Sequence, residues 1–167
     1  VLPIGKKKTH VIGINPSQIT TEDLAVSLQP AANYVPTDGY SKVAAVERHH
    51  NTGKIGVAVA KGYGIRNGAV ASSVSHDSHN IIVIGDNDRD MALAVDEIIR
   101  TQGGYTVVEN GEVFETLPLP IMGLMSDAGF ESVNETLGRM IKKAHEMVFA
   151  EIAGGCQAFN RNIFGIM

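Results

Sequence analysis

The sequence predicts an α+β domain: an antiparallel β-sheet of short strands packed with α-helices, with no complete barrel. Four short apolar runs, at 43–46, 55–60, 69–71 and 81–84, follow one another closely. The connections between them are too short for crossover helices, so neighbouring strands should run antiparallel across 42–85. Two later segments change to helical spacing, near 88–101 and 131–149. The runs are small and almost wholly apolar rather than alternating, which predicts a sheet covered on both faces.

In chain order, 11–14 is an apolar run ending at Asn15 and Pro16, as a strand entering a turn does. Thr20 with Glu22 and Asp23 is expected to open one or two helical turns. Residues 29–41 hold Pro30, Pro36 and Asp38-Gly39 and read as a loop. After the four runs, the side chains of 86–90 can cap a helix and place acidic groups in its first turn. Met91, Ala94, Val95, Ile98 and Ile99 then keep helical spacing until Gly103-Gly104. Segments 105–108 and 113–117 form a hairpin around Asn110-Gly111, and Pro118 and Pro120 end its second strand. Ser132 with Glu135 resembles a capping box. Val133, Leu137, Met140, Ile141, Ala144 and Val148 would line one face of the last helix.

Bulk properties narrow the function. A length of 167 residues, 44% hydrophobic and 19% charged, suits one domain, 1–167, with one packed core. Net charge is −4 and the only basic run is Lys6-Lys7-Lys8, so no nucleic-acid footprint is expected. No stretch approaches the ~20 apolar residues of a membrane span. Cys156 is the only cysteine, which excludes an internal disulfide framework and fits a reducing cytoplasm. No signal peptide is read at the N-terminus. The chain opens on Val1 rather than Met, as expected of a piece of a longer protein, although processing or numbering would give the same start.

Two segments are more polar than a plain core requires. Segment 47–54 contains Glu47, Arg48, His49 and His50, and segment 72–80 contains His76, Asp77 and His79. Together they hold four of the six histidines. If the strands are 42–50 and 69–75, both run the same way and both polar segments fall at one end of the sheet. Three readings compete there. His49 and His50 are adjacent and on a strand would point to opposite faces, so they could not share a metal. His76, Asp77 and His79 could converge from a loop, but His-x-x-His outside a helix is a weak metal pattern, and no metal is expected in this chain. Substrate-facing or supporting hydrogen bonds are the second reading, and polar loops that satisfy themselves the third. Ser75, His76 and Asp77 spell a triad, yet three consecutive residues rarely point at one another and no nucleophile elbow is present. The glycines of 61–64 and 53–56 lack a following helix and are not phosphate loops. His10 and His145 read as isolated, His145 as surface.

The chain resembles a known family through long blocks of residues. Val46-Glu47-Arg48-His49-His50-Asn51-Thr52-Gly53-Lys54-Ile55-Gly56 with Lys61-Gly62-Tyr63-Gly64 is similar to the C-terminal domain of bacterial adenine deaminases. So are Gly68-Ala69-Val70-Ala71-Ser72-Ser73-Val74-Ser75-His76-Asp77-Ser78-His79-Asn80 and Asp90-Met91-Ala92-Leu93-Ala94-Val95. The likeness continues through Leu117-Pro118-Leu119-Pro120-Ile121 and covers about 10–150, leaving 151–167 as a divergent or truncated tail. It implies part of a hydrolase of purine salvage, one that converts adenine and water to hypoxanthine and ammonia. In that family a separate (β/α)-barrel carries manganese or iron, whose bound hydroxide attacks the purine carbon bearing the amine. The barrel's His-x-His pair does not occur here, nor does the zinc deaminases' His-x-Glu with Pro-Cys-x-x-Cys. The expected partners are that barrel, adenine and further copies in a homo-oligomer. Glu47, His49, His50, His76, Asp77 and His79 are the candidates to face its active site, and the chain alone is expected to be inactive. The alternatives are a non-catalytic assembly domain, or a free-standing purine-binding or regulatory module that reuses the fold.

Overall fold

A computed structural model describes residues 8–15, 20–28, 36 and 39–148. Eight strands form one open sheet, and two helices pack on it. The strands are β1 (Thr9–Ile14), β2 (Thr21–Val26), β3 (Tyr40–Val46), β4 (Ile55–Lys61), β5 (Gly68–Ser72), β6 (Ile81–Gly85), β7 (Gly104–Glu109) and β8 (Glu112–Pro118). The helices are α1 (Asp88–Arg100), between β6 and β7, and α2 (Phe130–Glu146), after β8. The strand order is β2-β1-β4-β3-β6-β5-β7-β8. Every pairing is antiparallel except a short parallel one, where Ile12 and Gly13 of β1 meet Ala60 and Lys61 of β4. This is the expected α+β class.

Cover on both faces, expected for the whole sheet, is found around β5 but not at β2 or the first half of β4, which are largely exposed, and β5 shows why its residues are small and apolar. Ala69 and Ala71 share a buried cluster with Met91, Ala94 and Ile98 of α1. Val70, between them, joins Met140 and Ala144 of α2. Alternation along the strand thus sends methyls to one helix and an isopropyl group to the other. All five residues of β5 are buried, as a strand between two helical layers must be. Asn87 caps α1 by accepting from the Asp90 amide at 2.8 Å. The turn after α1 uses left-handed Gln102 and Gly103, at φ 60° and 126°.

Several local expectations need correction. Segment 21–26 is strand, not helical turns: pairing with β1 over six residues satisfies backbone groups along the whole segment, which an isolated helical turn cannot. Tyr40 and Ser41, read as loop, begin β3. Segments 47–50 and 73–75, read as strand, lie beyond the ends of β3 and β5. The Ser132–Glu135 capping box is absent, because α2 starts three residues earlier, with Gly129 as N-cap and no side-chain cap bond. Ile99, which keeps the helical spacing of the apolar residues of α1, is 58% exposed. His10 is not isolated: its Nδ1 lies 2.8 Å from an Asp23 carboxylate oxygen across the β1–β2 pair. His145 is half-buried rather than surface. The loop at 29–35 and the tail 151–167, with Cys156, lie outside the described residues.

Candidate functional site

Topology places the site. β3 and β5 both pair antiparallel with β6, so they run in the same direction and their C-terminal ends lie on either side of the start of β6. The loops 47–54 and 73–80 leave from those ends. Because β7 is antiparallel to β5, its start lies there too, and so does the end of β8. The turn 101–103 and the segment 119–125 therefore join the two polar loops at one end of the sheet.

The two loops touch. The His49 ring Nε2 lies 2.8 Å from the Ser78 carbonyl oxygen. A carbonyl only accepts, so this contact fixes a proton on Nε2, and a neutral His49 keeps Nδ1 as an acceptor. The Arg48 Nε donates to the His79 carbonyl at 2.6 Å, and its Nη2 to the Met122 carbonyl at 2.7 Å. Ser73, wholly buried, fastens the same region: its hydroxyl donates to the Gly123 carbonyl at 2.6 Å and accepts from the Gly104 amide at 2.8 Å.

Each sequence-derived candidate has a distinct setting. Glu47 holds its own loop. One carboxylate oxygen accepts from the His49 and His50 amides at 2.5 and 2.6 Å, and the other accepts from the Thr52 amide and hydroxyl at 3.0 and 2.9 Å. Those donors, the Thr52 amide first, hold its pKa well below the usual carboxylate range, at about 2. His49 and His50 are exposed, their rings edge to face with centroids 6.4 Å apart. The earlier reading that strand alternation separates them does not apply, since both sit in the bend after β3. His76 and Asp77 are exposed and paired, Nδ1 against a carboxylate oxygen. The His76 ring stands edge to face with His79 at 5.9 Å. Among the described residues no hydrogen bond joins the Ser75 hydroxyl to His76 or Asp77, so the three do not form a triad. His79 is half-buried in a left-handed conformation, φ 51°, and its Nδ1 is buried without a partner among the described residues.

Arg48, His49 and His79 line a cleft of about 430 Å³ with Gln102, Pro120, Met122 and Leu124. Sequence reasoning had not singled out Arg48 as a site residue, nor Gln102, Met122 and Leu124. The one available clue was the hairpin: its open end lies with the polar loops once β7 is known to pair with β5. The rim is apolar and bare, with Met122 74%, Met125 52% and Ile121 43% exposed. Contiguous exposed apolar groups of this kind suit a covering partner better than solvent.

Among the described residues no group of three His, Cys, Asp or Glu side chains is arranged to hold an ion. The remaining residues add only Asp38, Glu151 and Cys156 of those types. No described helix is long and apolar enough to cross a membrane.

One expected result follows from Glu47. Its carboxyl should titrate near pH 2 rather than near the ordinary value of about 4.3. A depressed folded-state pKa means that the loop is held above the ordinary value and released as the pH falls toward 2. A carboxyl carbon NMR titration reads this directly, and a midpoint near 4.3 would show that the loop is open in solution.

Comparison with known proteins places the sequence in a family. A family model described as "Adenine deaminase C-terminal domain" matches residues 18–155. An adenine deaminase of Nitratidesulfovibrio vulgaris strain DP4 is 48% identical over 147 residues, 87% of this chain and 26% of that protein. One from Desulfitobacterium hafniense is 47% identical over 148 residues, with the same coverage. One from Listeria monocytogenes is 43% identical over 145 residues, 84% of this chain and 25% of that protein. The chain thus spans about a quarter of the length of these relatives. With the family matched over most of its length, this chain belongs to the adenine deaminase C-terminal domain family.

Proposed function

We propose that this chain works as the C-terminal domain of a complete adenine deaminase, the hydrolase that turns adenine and water into hypoxanthine and ammonia, in cytoplasmic purine salvage. The observation that carries the reading is the contact between the loops 47–54 and 73–80 at one end of the sheet, beside an apolar rim. A catalytic barrel outside this chain would supply manganese or iron chemistry. The part of this chain is to close over that barrel. His49, with Nε2–H given to Ser78, offers Nδ1 to the exocyclic amine of adenine. His76 and Asp77, exposed and paired, add an imidazole and a carboxylate that can meet ring nitrogens or the leaving amine. Exclusion of water by the apolar rim strengthens each of these hydrogen bonds. The assembly is proposed to be a homo-oligomer.

A second reading, an assembly domain without contact to substrate, draws on Glu47. Among the described residues, its carboxylate bonds run to its own loop. Hydrogen exchange separates the two readings. In the full-length enzyme carrying this domain, a tight adenine analogue should slow exchange at 47–52 and 75–80 and leave α2 unchanged. Unaltered exchange in both loops, with the analogue bound, favours the assembly reading.

A further inference from the structure

The loops 47–54 and 73–80 and the segment 119–125 meet at one side chain, Arg48. Its guanidinium donates to two carbonyl oxygens from different segments, those of His79 and Met122. Both acceptor residues are non-glycine residues in the left-handed region, at φ 51° and 60°. Such conformations are uncommon for side chains of this bulk and persist where surrounding contacts over-determine them. Backbone bonds close each turn, from the His79 amide to the Ser75 carbonyl and from the Leu124 and Met125 amides to the Ile121 carbonyl, and one planar fork ties the two turns together, since a guanidinium has the geometry to reach two acceptors at once. The next residue leaves room for it: a Cβ at Gly123 would stand 2.6 Å from the Arg48 Nη1. His79 and Met122 both line the cleft that Arg48 itself borders.

We propose that Arg48 is a positioning residue. By holding the His79 and Met122 carbonyls, it sets the shape of the loop that bears His76, Asp77 and His79 and of the apolar rim that bears Met122. This rests on the reading that the cleft faces substrate. The Arg48 side chain sets where the substrate-facing groups stand, so its removal misplaces them without emptying the barrel of metal.

The test uses the full-length enzyme carrying this domain, with Arg48→Ala, Arg48→Lys, and Arg139→Ala as a control on the far helix. Arg48→Ala should lower kcat/KM for adenine by roughly ten- to a hundredfold, the usual scale for a supporting partner, with metal content unchanged. Exchange at 75–80 and 121–125 should quicken together. Millimolar guanidinium chloride should restore part of the lost activity, which a merely structural role would not allow. Arg48→Lys should fall in between, since an ammonium donates from a single nitrogen and lacks the rigid fork whose Nε and Nη2 reach the two carbonyls; it also serves if the alanine variant does not fold. Faster exchange with unchanged kcat/KM, while His49 or His76 variants are impaired, would overturn the positioning role and leave the site reading standing. Undiminished kcat/KM in all the loop variants would overturn the site reading itself. Absence of guanidinium rescue, or slow exchange at both segments in Arg48→Ala, also refutes the inference.

Discussion

The 167-residue chain, purified and incubated with adenine and manganese, is expected to release no hypoxanthine at an enzyme-like rate. The reason is the donor set. No described group of three ligating side chains can hold an ion, and the loops supply only isolated or paired imidazoles and carboxylates. Activation of water by a metal is worth several kcal/mol at the transition state, and each ~1.4 kcal/mol is tenfold in rate. A deficit of at least roughly three decades against the complete enzyme follows. Ordinary turnover by the chain alone would show that its own loops carry the chemistry, and would overthrow the division between barrel and C-terminal domain proposed above.

Within the complete enzyme, His49→Ala, His76→Ala and Asp77→Ala are each expected to lower catalytic efficiency by about one to three decades, the range for losing a positioned acid–base or hydrogen-bonding group. Metal content and melting temperature should stay nearly constant. The physical basis for expecting little loss of stability is exposure. His76 and Asp77 are about 88 and 89% exposed, and an ion pair in that setting contributes little to folding. His49 is exposed as well, and its ring is tied to the fold through the Ser78 carbonyl. Large losses of activity with intact folding would therefore report on substrate contact. Activity that falls only in step with melting temperature would make the loops structural and remove the catalytic assignment. Glu47→Gln belongs to a different class: it should disturb the 47–52 bend first, because its carboxylate accepts from three backbone amides there.

Much of the architecture follows from local patterns. The small apolar runs at 55–60, 69–71 and 81–84 became β4, β5 and β6; β5 and β6 are buried almost throughout and so have no polar alternation to show, whereas β4 is exposed at Ile55 and Gly56. Asn110-Gly111 turns the β7–β8 hairpin, Asn110 at φ 53° and Gly111 at φ 83°, because such a turn requires positive φ at both positions. The co-location of the two polar loops was also legible, from strand direction alone. So was the family resemblance, which rests on side-chain identity over long blocks.

Other features belong to tertiary structure. Segment 21–26 holds Thr, Glu and Asp in an order that a helix start would also accept, and only pairing with β1 decides for a strand. The exposure of Ile99 depends on how α1 lies on β5 and β7, which helical spacing does not specify. The site shows the same division. Its histidines stand out in the sequence because they are uncommon and clustered. Arg48 and Met122 do not, since a single arginine beside a histidine pair and a methionine after Pro120 have no local signature. They meet because β5 pairs with β7 rather than β4, a choice made by burial of Ala69, Ala71 and Val70 between two helices. The composition of the strands thus determined that a two-sided sheet would form. Their order, which brings 119–125 over the polar loops, was decided only by how that buried surface is shared between α1 and α2.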